Sequence, residues 1–131
     1  MKVSNALDKY NLISTSSIKN LPVSPRRVQL VANFIRGKKV NECIDFLSFD
    51  KRKASDRILV LLNSAIANAT SKSQEPKDNL YVADVKVGQG VFLKGRGTPA
   101  GRGTYHPMKK KTTNLVVIIG SLNSTEEKTN E

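Results

Sequence analysis

The order of apolar and polar positions divides the chain into a helical first part and a strand-forming second part. Val28, Val31, Ala32 and Ile35 recur at helical spacing behind Ser24-Pro25, where a hydroxyl can accept from a free amide and proline suits the first helical position. Gly37 stands where a left-handed residue would close this helix, which is therefore predicted over 25–36. Val40, Cys43, Ile44 and Leu47 share one face of a shorter helix over 41–47. The longest helix is predicted to start at Asp50 as its N-cap, carrying Ala54, Ile58, Leu61, Leu62, Ala65, Ile66 and Ala69 along one broad stripe. Ala65, Ala67 and Ala69 are small enough for another backbone to come close. Thr70 to Asn79 is polar, contains Pro76 and reads as a loop.

Beyond that loop the period falls to two. Tyr81, Ala83, Val85 and Val87 alternate with Val82, Asp84 and Lys86, which predicts a strand burying the first set, Tyr81 included. Leu115 to Ile119 forms a second, more apolar strand, and Ile18, Leu21 and Val23 around Pro22 suit an edge strand starting at Ser17. The organisation expected is a loose N-terminal arm over 1–16, one domain over 17–120 and a polar, disordered tail over 121–131.

Composition adds the class of partner. A chain of 131 residues supports one hydrophobic core, and here only 38% of residues are hydrophobic and none is Trp. The formal net charge of +11 draws polyanions, of which nucleic acid is the commonest. Cys43 is the single cysteine, so no intramolecular disulfide exists, a reducing compartment is expected, and packing is its natural role. The N-terminus lacks a signal-peptide core and the longest apolar run, Leu115 to Ile119, is too short for a bilayer, so a cytoplasmic chain with no membrane partner is expected.

The charge concentrates in Gly88 to Thr113, which holds Gly90, Gly95, Gly97, Gly101 and Gly103 and no acidic residue. This segment is either a disordered loop or a long hairpin projecting from the domain. Ordering costs roughly 1 to 2 kcal/mol per residue, and a lone two-stranded ribbon is marginal in water, so a partner has to hold it. Lys94, Arg96, Arg102, Lys109, Lys110 and Lys111 can meet phosphates while glycine lets the backbone approach. About six such contacts would give log K a slope of about −4 to −5 against log salt. Tyr105 and His106 offer rings for stacking on unpaired bases, a preference of RNA recognition. A second basic group comprises Arg26 and Arg27, then Arg36, Lys38 and Lys39, then Lys51, Arg52 and Lys53, the last three opposing the dipole of the long helix.

Plainer readings compete with these. A lysine run commonly just solubilises a surface, but acid-free surroundings favour phosphate contact for Lys109 to Lys111. His106 has no second histidine, carboxylate or thiol nearby, so no metal and no catalytic site is expected. Gly95, Gly97 and Gly101 miss the spacing of a dinucleotide fingerprint, and Pro99 and Pro107 occupy the place of its helix, so no cofactor is expected either. An architectural DNA-binding protein could also carry a basic ribbon, but as a symmetric dimer. An RNA-modifying enzyme would need a nucleophile or an acid–base pair near the basic stretch, and none is present there.

Four short segments carry a family likeness: Ser24-Pro25-Arg26, Ile35-Arg36-Gly37-Lys38, Ser64-Ala65-Ile66-Ala67-Asn68-Ala69 and Asn79-Leu80-Tyr81-Val82. In order and near-spacing, from about Ile18 to Gly120, the chain resembles bacterial-type large-subunit ribosomal protein L twenty-two. The resemblance implies an α+β fold, a small three-stranded antiparallel sheet packed with three helices, plus a long protruding β-hairpin at about 88–113. It implies a structural constituent of the large ribosomal subunit with no enzymatic activity, which binds 23S-type ribosomal RNA and neighbouring ribosomal proteins and aids subunit assembly. No homo-oligomer is implied, and the place is the ribosome of the cytoplasm or of an organelle of bacterial descent. Carried over by position, Gly95, Arg96, Gly97, Thr98, Pro99, Ala100, Gly101 and Arg102 form a tip lining the nascent-peptide exit tunnel, in reach of the passing peptide. This tip holds fewer cations than the family usually has, and the return strand is a residue or two longer before Asn114.

Overall fold

The computed structural model describes residues 10–73 and 76–122. The order is β1 (Tyr10–Leu21), α1 (Pro25–Ile35), α2 (Val40–Phe49), α3 (Ser55–Ser73), a short 3-10 turn (Lys77–Asn79), β2 (Leu80–Lys94), β3 (Thr98–Pro99), a second 3-10 turn (Gly101–Gly103), β4 (Tyr105–His106) and β5 (Lys109–Leu122). This is the expected α+β fold. The main sheet is antiparallel with order β1-β5-β2, and β3 and β4 form a separate two-stranded ribbon.

One core joins the layers. The central strand β5 buries Leu115, Val117 and Ile119 completely, beneath Val28 and Val31 of α1, Leu47 of α2 and Ile58 and Leu62 of α3. The alanine-rich part of α3 lies against β1, where the buried Ser14 hydroxyl donates to the Ala65 carbonyl at 2.8 Å. Gly37 takes a φ of +73°, as its position after α1 requires, and its N–H donates to the Val82 carbonyl at 2.8 Å. The Val82 N–H in turn donates to the Lys38 carbonyl at 3.0 Å, so the link between α1 and α2 is tied to β2.

Several boundaries differ from expectation for physical reasons. The first strand begins at Tyr10 rather than Ser17, so residues 10–16 are a paired edge strand and not part of a loose arm. Leu12 and Ile13 are adjacent rather than alternating, and the buried position that follows them belongs to Ser14, which faces the helix through a hydrogen bond, so no regular apolar alternation is there to read. Gly120 makes this pairing possible, since a Cβ there would stand 2.5 Å from the Asn11 carbonyl oxygen. The expectations for residues 1–9 and 123–131 lie outside the described residues.

The longest helix starts at Ser55, not Asp50. Asp50 ends α2, and its carboxylate accepts from the Ser55 hydroxyl at 2.6 Å and the Arg52 N–H at 3.3 Å, which builds a turn between the helices. The helix continues to Ser73, beyond the expected loop boundary, and there the Thr70 and Ser73 hydroxyls donate back to the carbonyls of Ile66 and Ala69 at 3.1 and 2.9 Å, which is how these polar side chains are accommodated inside it. Ser24 precedes α1 in extended conformation without the expected side-chain cap, so Pro25 alone marks that start. In β2 a register shift between Val82 and Asp84 exchanges the faces. Leu80 and Val82 point inward before it and Val85 after it, which puts Tyr81 outside the core with its ring 6.2 Å from that of Tyr10.

Candidate nucleic-acid interface

β2 and β5 continue past the core as a finger. Its pairs are Phe92 with Lys111, Leu93 with Lys110 and Lys94 with Lys109, followed by a Gly95 N–H that donates to the Met108 carbonyl at 2.9 Å. Thr98 then pairs with His106 and Pro99 with Tyr105, and the turn closes where the Ala100 N–H donates to the Thr104 carbonyl at 2.8 Å. The segment is thus a hairpin, with Arg102 at φ 59° and Gly103 at φ 72° reversing the chain. At strand rise, Val87 to Gly101 reaches at most about 45 Å.

A polar junction marks the root of the finger. Asn20, itself at φ 55°, donates its N–H to Asn114 Oδ1 at 2.9 Å and accepts from the Val91 N–H at 3.3 Å. Asn114 Nδ2 donates to the Gln89 carbonyl at 3.4 Å, and the Thr112 hydroxyl donates to the Val91 carbonyl at 2.6 Å. The neighbouring Thr113 hydroxyl donates to the Val23 carbonyl at 2.6 Å. A Cβ at position 90 would stand 2.5 Å from the Thr112 hydroxyl oxygen and 3.0 Å from Asn20 Oδ1, so any side chain there has to displace the groups of this junction. Here the ladder shifts register between Gln89 and Phe92, and this shift sets which side chains share a face beyond it.

Directly paired residues lie on one side of a ribbon, so Phe92, Lys94, Lys109 and Lys111 share a face and Leu93 and Lys110 the other. All six are exposed, and Lys109 Nζ stands 5.5 Å from the Phe92 ring centroid. Sequence reading missed Phe92, because only the pairing register reveals its lysine neighbours. Arg96, Arg102, Tyr105 and His106 are exposed toward the tip. The phenol end of Tyr105 rests against the backbone at Gly97, where a Cβ would overlap it unless the ring moved.

On the domain, Arg27, Arg52 and Lys53 converge on one cleft of about 240 Å³ between α1 and the turn before α3, with Val23, Leu30 and Ala54 as its apolar lining. Arg52 also lies 5.8 Å over the Phe34 ring and 3.7 Å from Asp50. Lys51, Arg52 and Lys53 occupy the turn before the first helical residue, still close to the positive end of α3. Arg26, Lys38 and Lys39 are exposed. Arg36 differs from the rest. Its Nη1 donates to Asn33 Oδ1 at 2.8 Å, its Nη2 donates to the Val85 carbonyl, and its Nε faces Asp84 at 3.0 Å as an ion pair without hydrogen-bond alignment. That guanidinium fastens α1 to β2 and is already occupied.

Cys43 is buried with its Sγ 3.5 Å from the Ile35 carbonyl oxygen. Burial pushes its thiol up to about 11, helped slightly by Glu42 and opposed by Lys38. Among the described residues no helix is long and apolar enough to cross a membrane.

A comparison with protein families matches residues 16–120 to the family described as ribosomal protein L22p/L17e. The chain belongs to that family. Curated relatives named large ribosomal subunit protein uL22 agree with it along most of their lengths. The protein of Christiangramia forsetii is 34% identical over 87% of this chain and 86% of its own. That of Myxococcus xanthus is 41% identical over 81% of this chain and 94% of its own, and that of Metamycoplasma hominis 38% over 86% of each. The L22p/L17e match runs from Ser16 in β1 to Gly120 in β5 and so includes both the domain and the whole finger.

Proposed function

We propose that this ribosomal protein is a structural constituent of the large ribosomal subunit and binds 23S-type ribosomal RNA through its finger and the Arg27–Arg52–Lys53 cleft. The observation that carries the reading is the finger itself. Its strands are paired, but its side chains from Val91 to Lys94 and Lys109 to Lys111 are exposed, and among the described residues no carboxylate lies along it to balance its cations. Phosphates supply the missing charge and the missing surface together. Lys94, Arg96, Arg102, Lys109, Lys110 and Lys111 meet the RNA backbone in this reading, with Tyr105 and His106 against bases near the tip. Arg26, Lys38 and Lys39 extend the domain contact, while Arg36 keeps its place in the fold.

In the same reading Gly95 to Arg102 line the nascent-peptide exit tunnel, neighbouring ribosomal proteins pack on the domain, and the RNA contact aids subunit assembly. The chain works by binding, without chemistry of its own, as a monomer on the cytoplasmic or a bacterial-type organellar ribosome. Ultraviolet crosslinking in lysate, followed by sequencing of the attached RNA, tests this. Large-subunit ribosomal RNA attached between residues 94 and 111 is the expected result. Crosslinks only to other RNA, or a purified chain that forms a symmetric dimer on duplex DNA, overturn it.

A further inference from the structure

The register of the finger places one aromatic ring in the middle of three cations. Phe92 is 43% exposed, its direct partner is Lys111, and Lys94 and Lys109 form the next pair on the same face. Like charges directly opposite each other destabilise a ribbon, so the Lys94–Lys109 pair is unfavourable in the free chain. Lys109 relieves part of this by resting its ammonium 5.5 Å from the Phe92 ring centroid. The opposite face is of another kind, with Leu93 and Lys110 beside the ladder and an exposed Met108 close to it.

We infer that Phe92 is a stacking platform for one unpaired nucleobase, with the adjoining phosphates held by Lys94, Lys109 and Lys111. This inference rests on the RNA-binding reading above and names the ligand group and the residue that takes it. A base on the ring displaces the Lys109 ammonium, which the nearby phosphate then receives, so the cation exchanges one partner for a stronger one. The phosphates also relieve the Lys94–Lys109 repulsion. The aliphatic face offers neither a ring nor a group of cations, so a single strand of RNA lies on the Phe92 side.

The test measures binding of the full chain to a labelled single-stranded decaadenylate and to a sugar-phosphate strand of equal length without bases, each at several salt concentrations. Phe92→Leu keeps an apolar side chain but loses the ring, and it is expected to weaken decaadenylate binding about 5- to 150-fold, the measured worth of one stacked base. Binding of the baseless strand and both salt slopes stay as in the wild type. Phe92→Trp binds decaadenylate at least as tightly as the wild type. Lys109→Gln lowers the salt slope for decaadenylate by about 0.7. Equal decaadenylate affinity in the wild type and Phe92→Leu, with the salt dependence intact, overturns the stacking inference alone. Equal losses on both strands overturn it too, since the ring would then only support the lysines. A wild-type chain that binds neither strand removes the RNA-binding reading itself.

Discussion

The two ends of the β2–β5 hairpin share the same strands and ladder, yet different forces hold them. At the domain end Leu80, Val82, Leu115 and Ile119 are completely buried beneath three helices. At the finger end Val91 is 59% exposed and Leu93 48%, and among the described residues no second layer covers either face. Backbone hydrogen bonds contribute little net stability where water can replace them, so the finger's order depends on its surroundings and the domain's does not. The difference teaches that a regular ladder is not a measure of stability. What covers the ladder is.

The widest gap between the two ends should come from matched truncations. Leu62→Ala is expected to lower unfolding free energy by about 2 to 5 kcal/mol, whereas Leu93→Ala changes it by less than about 0.5 kcal/mol, both read from urea denaturation. Similar losses from the two would show that the finger has a core of its own. Next is Gly120→Val, which forces β1 away from β5 at Asn11 and should cost about 1 to 3 kcal/mol. Amide exchange should speed up in β1 and leave the finger as it was.

A smaller effect on stability separates binding from folding. Replacing Lys94, Lys109 and Lys111 together by Gln should leave the denaturation midpoint within about 0.5 kcal/mol of wild type, while the salt slope for RNA becomes shallower by about 2 to 3 units. A slope that did not move would place the RNA elsewhere on the molecule. An effect seen only at high pH concerns Cys43, a reporter confined to the domain. Its folded pKa, about 11, lies above the ordinary 9.0, so the folded chain keeps a proton that the unfolded chain releases. Stability supplied by this thiol is complete below pH 9 and is lost as pH rises toward 11. Comparing wild type with Cys43→Ala at pH 8 and pH 10.5 isolates it, and a gap that failed to narrow at the higher pH would contradict the assignment.

Much of this architecture could be read before any coordinates. The α1 stripe, the change to a two-residue period after Asn79 and the acid-free basic stretch each follow from local pattern. What escaped reading depends on residues distant in the chain. Ser14 belongs in a strand because an Ala65 carbonyl waits for its hydroxyl, and Arg36 is withdrawn from the surface because Asp84 and Val85 meet it. The bulge near Ala83 put Leu80 and Val82 inside and Tyr81 outside while leaving Val85 and Val87 on the expected side, and the shift after Gln89 decided that Phe92 joins three lysines. A one-residue offset of this kind has no compositional trace, yet it moves every following side chain to the other side.

The knot of Asn20, Asn114 and Thr112 sits at the fulcrum of a long lever. For an arm of about 40 Å, a tilt of about 10° at the base sweeps the far end through about 7 Å, roughly two stacked bases. Aim is therefore settled a whole finger's length from where it matters, by a few amide and hydroxyl groups whose loss would hardly register in a melting curve.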